Sequence, residues 1–206
     1  SRSGAAIGGN GEQDAGTIHI KGGTVKATSA SSGAAIGASA GKSVEEIRIS
    51  GGNVTAKSSG GAGIGTGSAN GQERTGKIVI EGGTVNASSW SGAGIGSGYG
   101  YVPGSSAIIA KIEIHGGMIT AYSYFGACIG SGSNSSSKVL INGGTICLDN
   151  RNEGSRYAAH IGKGYESTQA PTDVTITGGT ICLIGADRNI PRPIIYGWEQ
   201  VDGNGQ

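Results

Sequence analysis

The chain has 206 residues, 43 of them glycine, with 35% apolar, 14% charged and 5% aromatic residues. Fifteen basic against fourteen acidic residues leave a net charge of +1, which gives no electrostatic reason to expect nucleic acid or an anionic membrane as partner. Regularly placed Ile and Val argue against the disorder that so much glycine would otherwise suggest, and no apolar run approaches the roughly 20 residues that cross a bilayer, so no membrane insertion is expected.

The first element along the chain is Ala-x-Ile-Gly, ending at Gly8. An alternating apolar segment (TIHI) follows, then the pair Gly22-Gly23, then a second alternating segment (TVKA). This order recurs. Gly-Gly pairs return at Gly51-Gly52, Gly82-Gly83, Gly116-Gly117, Gly143-Gly144 and Gly178-Gly179, and Ala-x-Ile-Gly ends again at Gly37, Gly65, Gly96, Gly130 and Gly162. The Ile residues of that element stand 29, 28, 31, 34 and 32 positions apart, and Pro193 to Gly197 reads as the start of a degenerate seventh copy. A fixed step near thirty residues is the signature of a solenoid.

Within each copy the apolar positions alternate with a period of two and are mostly β-branched, and no helical stripe is present. Glycine punctuates the strand ends, where a corner needs positive φ or close backbone approach. The predicted fold is therefore all-β: a right-handed parallel β-helix of six to seven coils with three short strands per coil, handedness following the rule for parallel connections. Residues 1–185 form the repeats. Residues 186–206, with Pro191, Pro193, Tyr196 and Trp198, read as a non-repeat cap or tail, and the start in mid-repeat at Gly4 suggests further coils or a packed partner in a longer parent chain.

Alternation predicts three inward ladders, running through Ile18 and Ile20, Val25, and Ile7 with their counterparts in later copies. Ala5, Ala34, Ala62, Ala93, Ala127 and Ala159 are assigned to a further inward row, and Ser29, Ser58, Ser89 and Ser123, continued by Asn150, to a hydrogen-bonding corner ladder. The outward column of the third strand is Ala6, Ala35, Gly63, Gly94, Cys128 and His160, which predicts a flat face nearly bare of side chains. The outward column of the first strand (His19, Arg48, Val79, Glu113, Leu140, Thr175) has no chemical theme.

All ten aromatic residues lie at or beyond position 90. Trp90 and Tyr124 share one repeat position, Tyr122 and Phe125 flank the second of them, Tyr99 and Tyr101 lie in the insertion after the fourth Ala-x-Ile-Gly, and Tyr157 and Tyr165 fall in later loops. An aromatic edge beside a small-residue face points to ligand binding, with Trp90, Tyr99, Tyr101, Tyr122, Tyr124, Tyr157 and Tyr165 as the binding residues. Packing beneath the longer loops is the competing reading.

Other constellations are weaker. Glu113, Glu153, Glu166 and Asp173 lie in the later coils near the aromatics, and nothing in their spacing forces the paired carboxyls that a glycosidase needs. Cys147 and Cys182 share an outward column in adjacent coils, close enough for a bridge but pointing in parallel, so free thiols are favoured. Cys128 and His160 also share a column but lack further metal ligands or an orienting carboxylate. No cofactor is expected, Ca²⁺ being the one ion that the loops Asn10 to Asp14 and Asp149 to Glu153 would suit, although neither matches a dedicated calcium loop. GAGIGTG and GAGIGSG open no helix and fail as phosphate loops. Asn53, Asn86 and Asn134 begin N-glycosylation triplets.

The units SGAGIGSG and KIVIEGGTVNASS resemble the Gly-rich β-helix repeats of large secreted or surface proteins of Gram-positive anaerobes, and the fold is similar to the pectate-lyase-like superfamily. The resemblance covers about residues 4 to 185. It implies an extracellular or cell-surface location and a polysaccharide or glycan partner; no catalytic motif of that superfamily maps onto residues here. The function expected is an extracellular carbohydrate-binding module of a larger protein. A polysaccharide-degrading glycoside hydrolase or lyase and an inert or adhesive stalk are the alternatives.

Overall fold

The structure, a computed structural model, describes residues 3–69, 74–101, 108–149, 158–164 and 173–184. Among them there are only strands and turns, and every strand pairing is parallel. The first wall is built from Ala15–Ile20, Val44–Ile49, Arg74–Ile80 and Ile108–Ile114, and the second from Thr24–Ser29, Asn53–Ser58, Thr84–Ser89 and Met118–Ser123. Two longer strands, Ser136–Asp149 and Asp173–Ile184, run through both walls. The third wall is a six-stranded sheet of two-residue Ile-Gly strands from Ile7–Gly8 to Ile161–Gly162. The fold is the right-handed parallel β-helix that the repeat predicts. Six coils are described; the proposed seventh copy and residues 186–206 lie outside the described residues.

Register follows the repeat. Ile18 pairs with Ile47, Ile47 with Ile78, Ile78 with Ile112, and Ile112 with Val139. Stacking like on like gives each inward column a continuous apolar neighbour, and Ile47, Ile64, Ile78, Ile95, Ile112 and Ile129 are completely buried. The second glycine of each Gly-Gly pair makes the corner, with φ +79° at Gly23 and +95° at Gly117, a region costly to residues with a Cβ.

The third wall departs from strict alternation. The N–H of Ala34, Ala62, Ala93 and Ala127 donates to the carbonyl four residues later, at 2.9 Å in each case, so Ala-x-Ile-Gly-x closes into a tight arch. Only two residues of the arch are extended, and the period-two rule fails on either side of them. Ala35 and Cys128, expected to face outward, instead join the aliphatic core, and Gly63, Gly94 and His160 are also buried; Ala6 alone of that column is exposed. The flat, bare face is therefore absent. A Cβ on Gly63 would lie 2.6 Å from the Gly94 carbonyl oxygen and 2.8 Å from that of Ser88, so the second wall of the next coil closes over this column. The Ala34-to-Ala159 row is buried as predicted but lies outside the core cluster. Val79, assigned to the outer face, is 2% exposed; it sits in register between Arg48 and Glu113, so long side chains flank it on both sides.

Candidate functional site

The corner between the second and third walls carries the aromatic edge. Its position is set by the serine ladder, which hydrogen-bonds at the corner as expected for Ser58, Ser89 and Ser123, while Asn150 lies outside the described residues. Ser58, Ser89 and Ser123 donate to the carbonyls of Gly33, Gly61 and Gly92 in the preceding coil, at 2.9, 2.7 and 2.7 Å. Ser89 and Ser123 also accept the N–H of Gly92 and Gly126. Each serine ties one coil's corner to the coil before it, so the next residue is held outside the corner. In successive coils that residue is Ala30, Ser59, Trp90 and Tyr124.

Trp90 is 54% exposed and stacks on Tyr124 with ring centroids 4.0 Å apart and planes 6° from parallel. Phe125 meets both edge-on, at 6.1 Å from Trp90 and 4.6 Å from Tyr124. The stack uses one face of the indole. Toward the other side the same column holds only Ser59 and Ala30, both small and exposed, which leave room for a ring-sized ligand. Tyr99 and Tyr101 form a second edge-to-face pair, centroids 5.0 Å apart. Tyr101 is 50% exposed, and its hydroxyl lies 3.2 Å from that of Ser32, two residues beyond Ala30. This contact between residues 69 apart brings both aromatic pairs to one corner. Tyr122 is half-buried on the second wall between Ser88 and Asp149, and burial, then the Asp149 charge, pushes its phenol pKa up. Tyr157 and Tyr165 lie outside the described residues.

The acidic candidates do not meet at this corner. Glu113 belongs to the outer face of the first wall, 2.9 Å from Lys111 and 3.6 Å from His115, and Lys111 holds its carboxyl below the usual glutamate range. Asp173 pairs with Lys138 at 3.7 Å, and Glu153 and Glu166 lie outside the described residues. The first wall does have a chemical theme that single columns conceal. Glu46 pairs with Arg48 at 2.8 Å and with Lys77 at 3.2 Å, Arg48 also pairs with Glu81, and His115 Nδ1 lies 2.8 Å from Asn142 Oδ1. Opposite charges pair at positions two residues apart, as in Glu46–Arg48, Arg48–Glu81 and Lys111–Glu113, and also between register partners, as in Glu46–Lys77, so the column of Arg48, Val79 and Glu113 read alone shows only a mixture.

The Asn10 and Asp14 oxygens line a cavity of about 290 Å³ in the first coil. Asn10 Oδ1 already accepts the N–H of Glu12 and Gln13, and Asp14 Oδ1 that of Ser43, so a calcium ion there would compete with three backbone donors. Among the described residues no group of three His, Cys, Asp or Glu side chains is placed to hold a metal. Cys128 is buried, its thiol donating to the Asp149 carbonyl at 3.4 Å, and His160 is 3% exposed, so neither is presented as a nucleophile. Asn134 is buried with its amide nitrogen donating to Gly100 O, and the glycosylation reading fails there.

A family model described as beta helix repeat matches four segments, residues 18–40, 47–68, 78–99 and 112–133. Each match begins on the first wall and ends just past the third, so one repeat is one coil. The coils and these matches together define a parallel β-helix repeat protein. No curated protein and no solved structure matches the chain.

Proposed function

We propose that the protein is a glycan-binding module of a secreted or cell-surface protein, with sugar rings stacking on the aromatic corner. The observation that supports this most is the exposed Trp90 indole. It is fixed by its stack on Tyr124 and is open over Ser59 and Ala30 on the other side. A rigid aromatic ring loses little side-chain entropy when a ligand arrives, and its apolar face complements the C–H face of a pyranose. Hydroxyls at Ser59, Ser32 and Tyr101 border the same corner and supply polar partners for sugar hydroxyls. The ladder of one residue per coil suits an extended polysaccharide lying along the solenoid axis.

The test is affinity for a panel of plant and mucin polysaccharides, measured on the protein, Trp90→Ala and Tyr124→Ala. Loss of about tenfold or more for Trp90→Ala on at least one glycan is expected, with a smaller loss for Tyr124→Ala, which only supports the indole. Unchanged affinity in both variants, with melting temperatures preserved, removes the proposal. Reducing ends or unsaturated sugars released from the same panel would favour a hydrolase or lyase instead. That reading draws no support from Glu113, whose carboxyl is held ionised, whereas a general acid needs a raised pKa.

A further inference from the structure

The outer face of the second wall carries a pair of thiols that the glycan reading does not use. Cys147 and Cys182 are register partners on the adjacent strands Ser136–Asp149 and Asp173–Ile184, and both are free, Cys147 half-buried and Cys182 exposed. Parallel neighbours stand about 4.8 Å apart, inside the Cα separation that disulfides span. Two side chains leaving a sheet in parallel would normally hold their sulfurs apart. Here register places the two thiols side by side on one face, and the interaction with Cys182, ahead of burial and the Asp149 charge, pushes the Cys147 pKa up.

We propose that Cys147 and Cys182 form a reversible disulfide between adjacent coils, closed by exchange with a small external disulfide such as oxidised glutathione. The exposed Cys182 thiolate attacks one glutathione sulfur, expels the other as thiolate, and becomes a mixed disulfide. Cys147 then loses its proton to water and attacks the Cys182 sulfur, expelling the second glutathione. Two protein thiols are oxidised by two electrons, and one glutathione disulfide is reduced to two thiols. The parallel exit of the two side chains strains the bridge, which makes it readily reducible and so responsive to redox conditions. Its mechanical effect falls on the strand Asp173–Ile184, whose inward Val174, Ile181 and Leu183 are only partly buried and whose Ile176 is exposed.

The full chain, equilibrated with oxidised glutathione and then alkylated, tests this by mass. An internal bridge yields a protein about 2 Da lighter than the reduced form, with tryptic peptides Val139–Arg151 and Gly164–Arg188 joined. Hydrogen exchange across Asp173–Ile184 slows about tenfold on oxidation and recovers with reductant. Cys147→Ser stops at a glutathione adduct on Cys182, while Cys128→Ser still forms the bridge. A wild-type chain that ends as a glutathione adduct on Cys182 with Cys147 still open to alkylation, or as dimers joined through Cys182, overturns the proposal. Neither outcome bears on the glycan site.

Discussion

Ser89 shows how much a single small residue carries in this fold. Its hydroxyl is buried, donates to Gly61 O and accepts from Gly92 N–H, so removing it orphans one acceptor and one donor in a place water does not reach. Ser89→Ala is expected to lower unfolding free energy by about 1–3 kcal/mol in a denaturant titration. Glycine acts by absence. A methyl at position 63 would meet the backbone of Ser88 and Gly94 within 2.6–2.9 Å, whereas one at Gly22 would meet nothing within 4 Å. Gly63→Ala should therefore destabilise by about 1–3 kcal/mol, and Gly22→Ala by less than about 0.5 kcal/mol. The serine ladder was legible in the sequence because the same residue returns at the same position. The inward turn of Ala35 and Cys128 was not, because nothing in Ala-x-Ile-Gly announces a hydrogen bond closing over five residues. The sharing of a position by Trp90 and Tyr124 was legible too; that the two rings cover each other is a matter of torsion angles that spacing does not encode.

The element with an electrostatic character of its own is the first wall. Its charged outer face was invisible in the column of Arg48 and Glu113 read alone because their partners stand two residues away, Glu46 and Glu81 for Arg48 and Lys111 for Glu113. Arg48 and Lys111 are the largest influences lowering the carboxyl pKa of Glu46 and Glu113 respectively. A carboxyl lowered on folding contributes stability above its ordinary value of 4.5, and that contribution disappears as pH falls through the folded value. Melting temperature should therefore be level from about pH 5 to 7 and fall below about pH 4.5, and the double variant Glu46→Gln, Glu113→Gln should show a shallower fall. Partly exposed pairs are worth no more than about 1 kcal/mol each, so the double variant should differ from the parent protein by a few degrees at most, and less at high salt.

At the scale of the whole molecule the stack was the most legible feature, since Ile7, Ile36, Ile64, Ile95, Ile129 and Ile161 form one column and the coil follows from lining them up. Burial is not uniform along the stack. Ile47, Ile78 and Ile112 are sealed between coils, while Ile7, Ile18 and Val25 at one end and Val174 and Ile181 at the other are only partly buried. Backbone hydrogen exchange is accordingly expected to be slowest in the strands Val44–Ile49, Asn53–Ser58, Thr84–Ser89 and Met118–Ser123 and at least tenfold faster in the strands Ala15–Ile20 and Asp173–Ile184, a gradient that nearest-neighbour coupling produces and a single cooperative core does not. Uniform protection along the chain would contradict it.

The parallel pairing of every wall has a mechanical meaning. Backbone hydrogen bonds between coils point along the axis of the stack, so tension applied end to end pulls each bond open lengthwise instead of shearing a whole sheet at once. Under load such a rod yields turn by turn at modest force, each turn releasing about thirty residues of slack, and re-forms against the turns still wound.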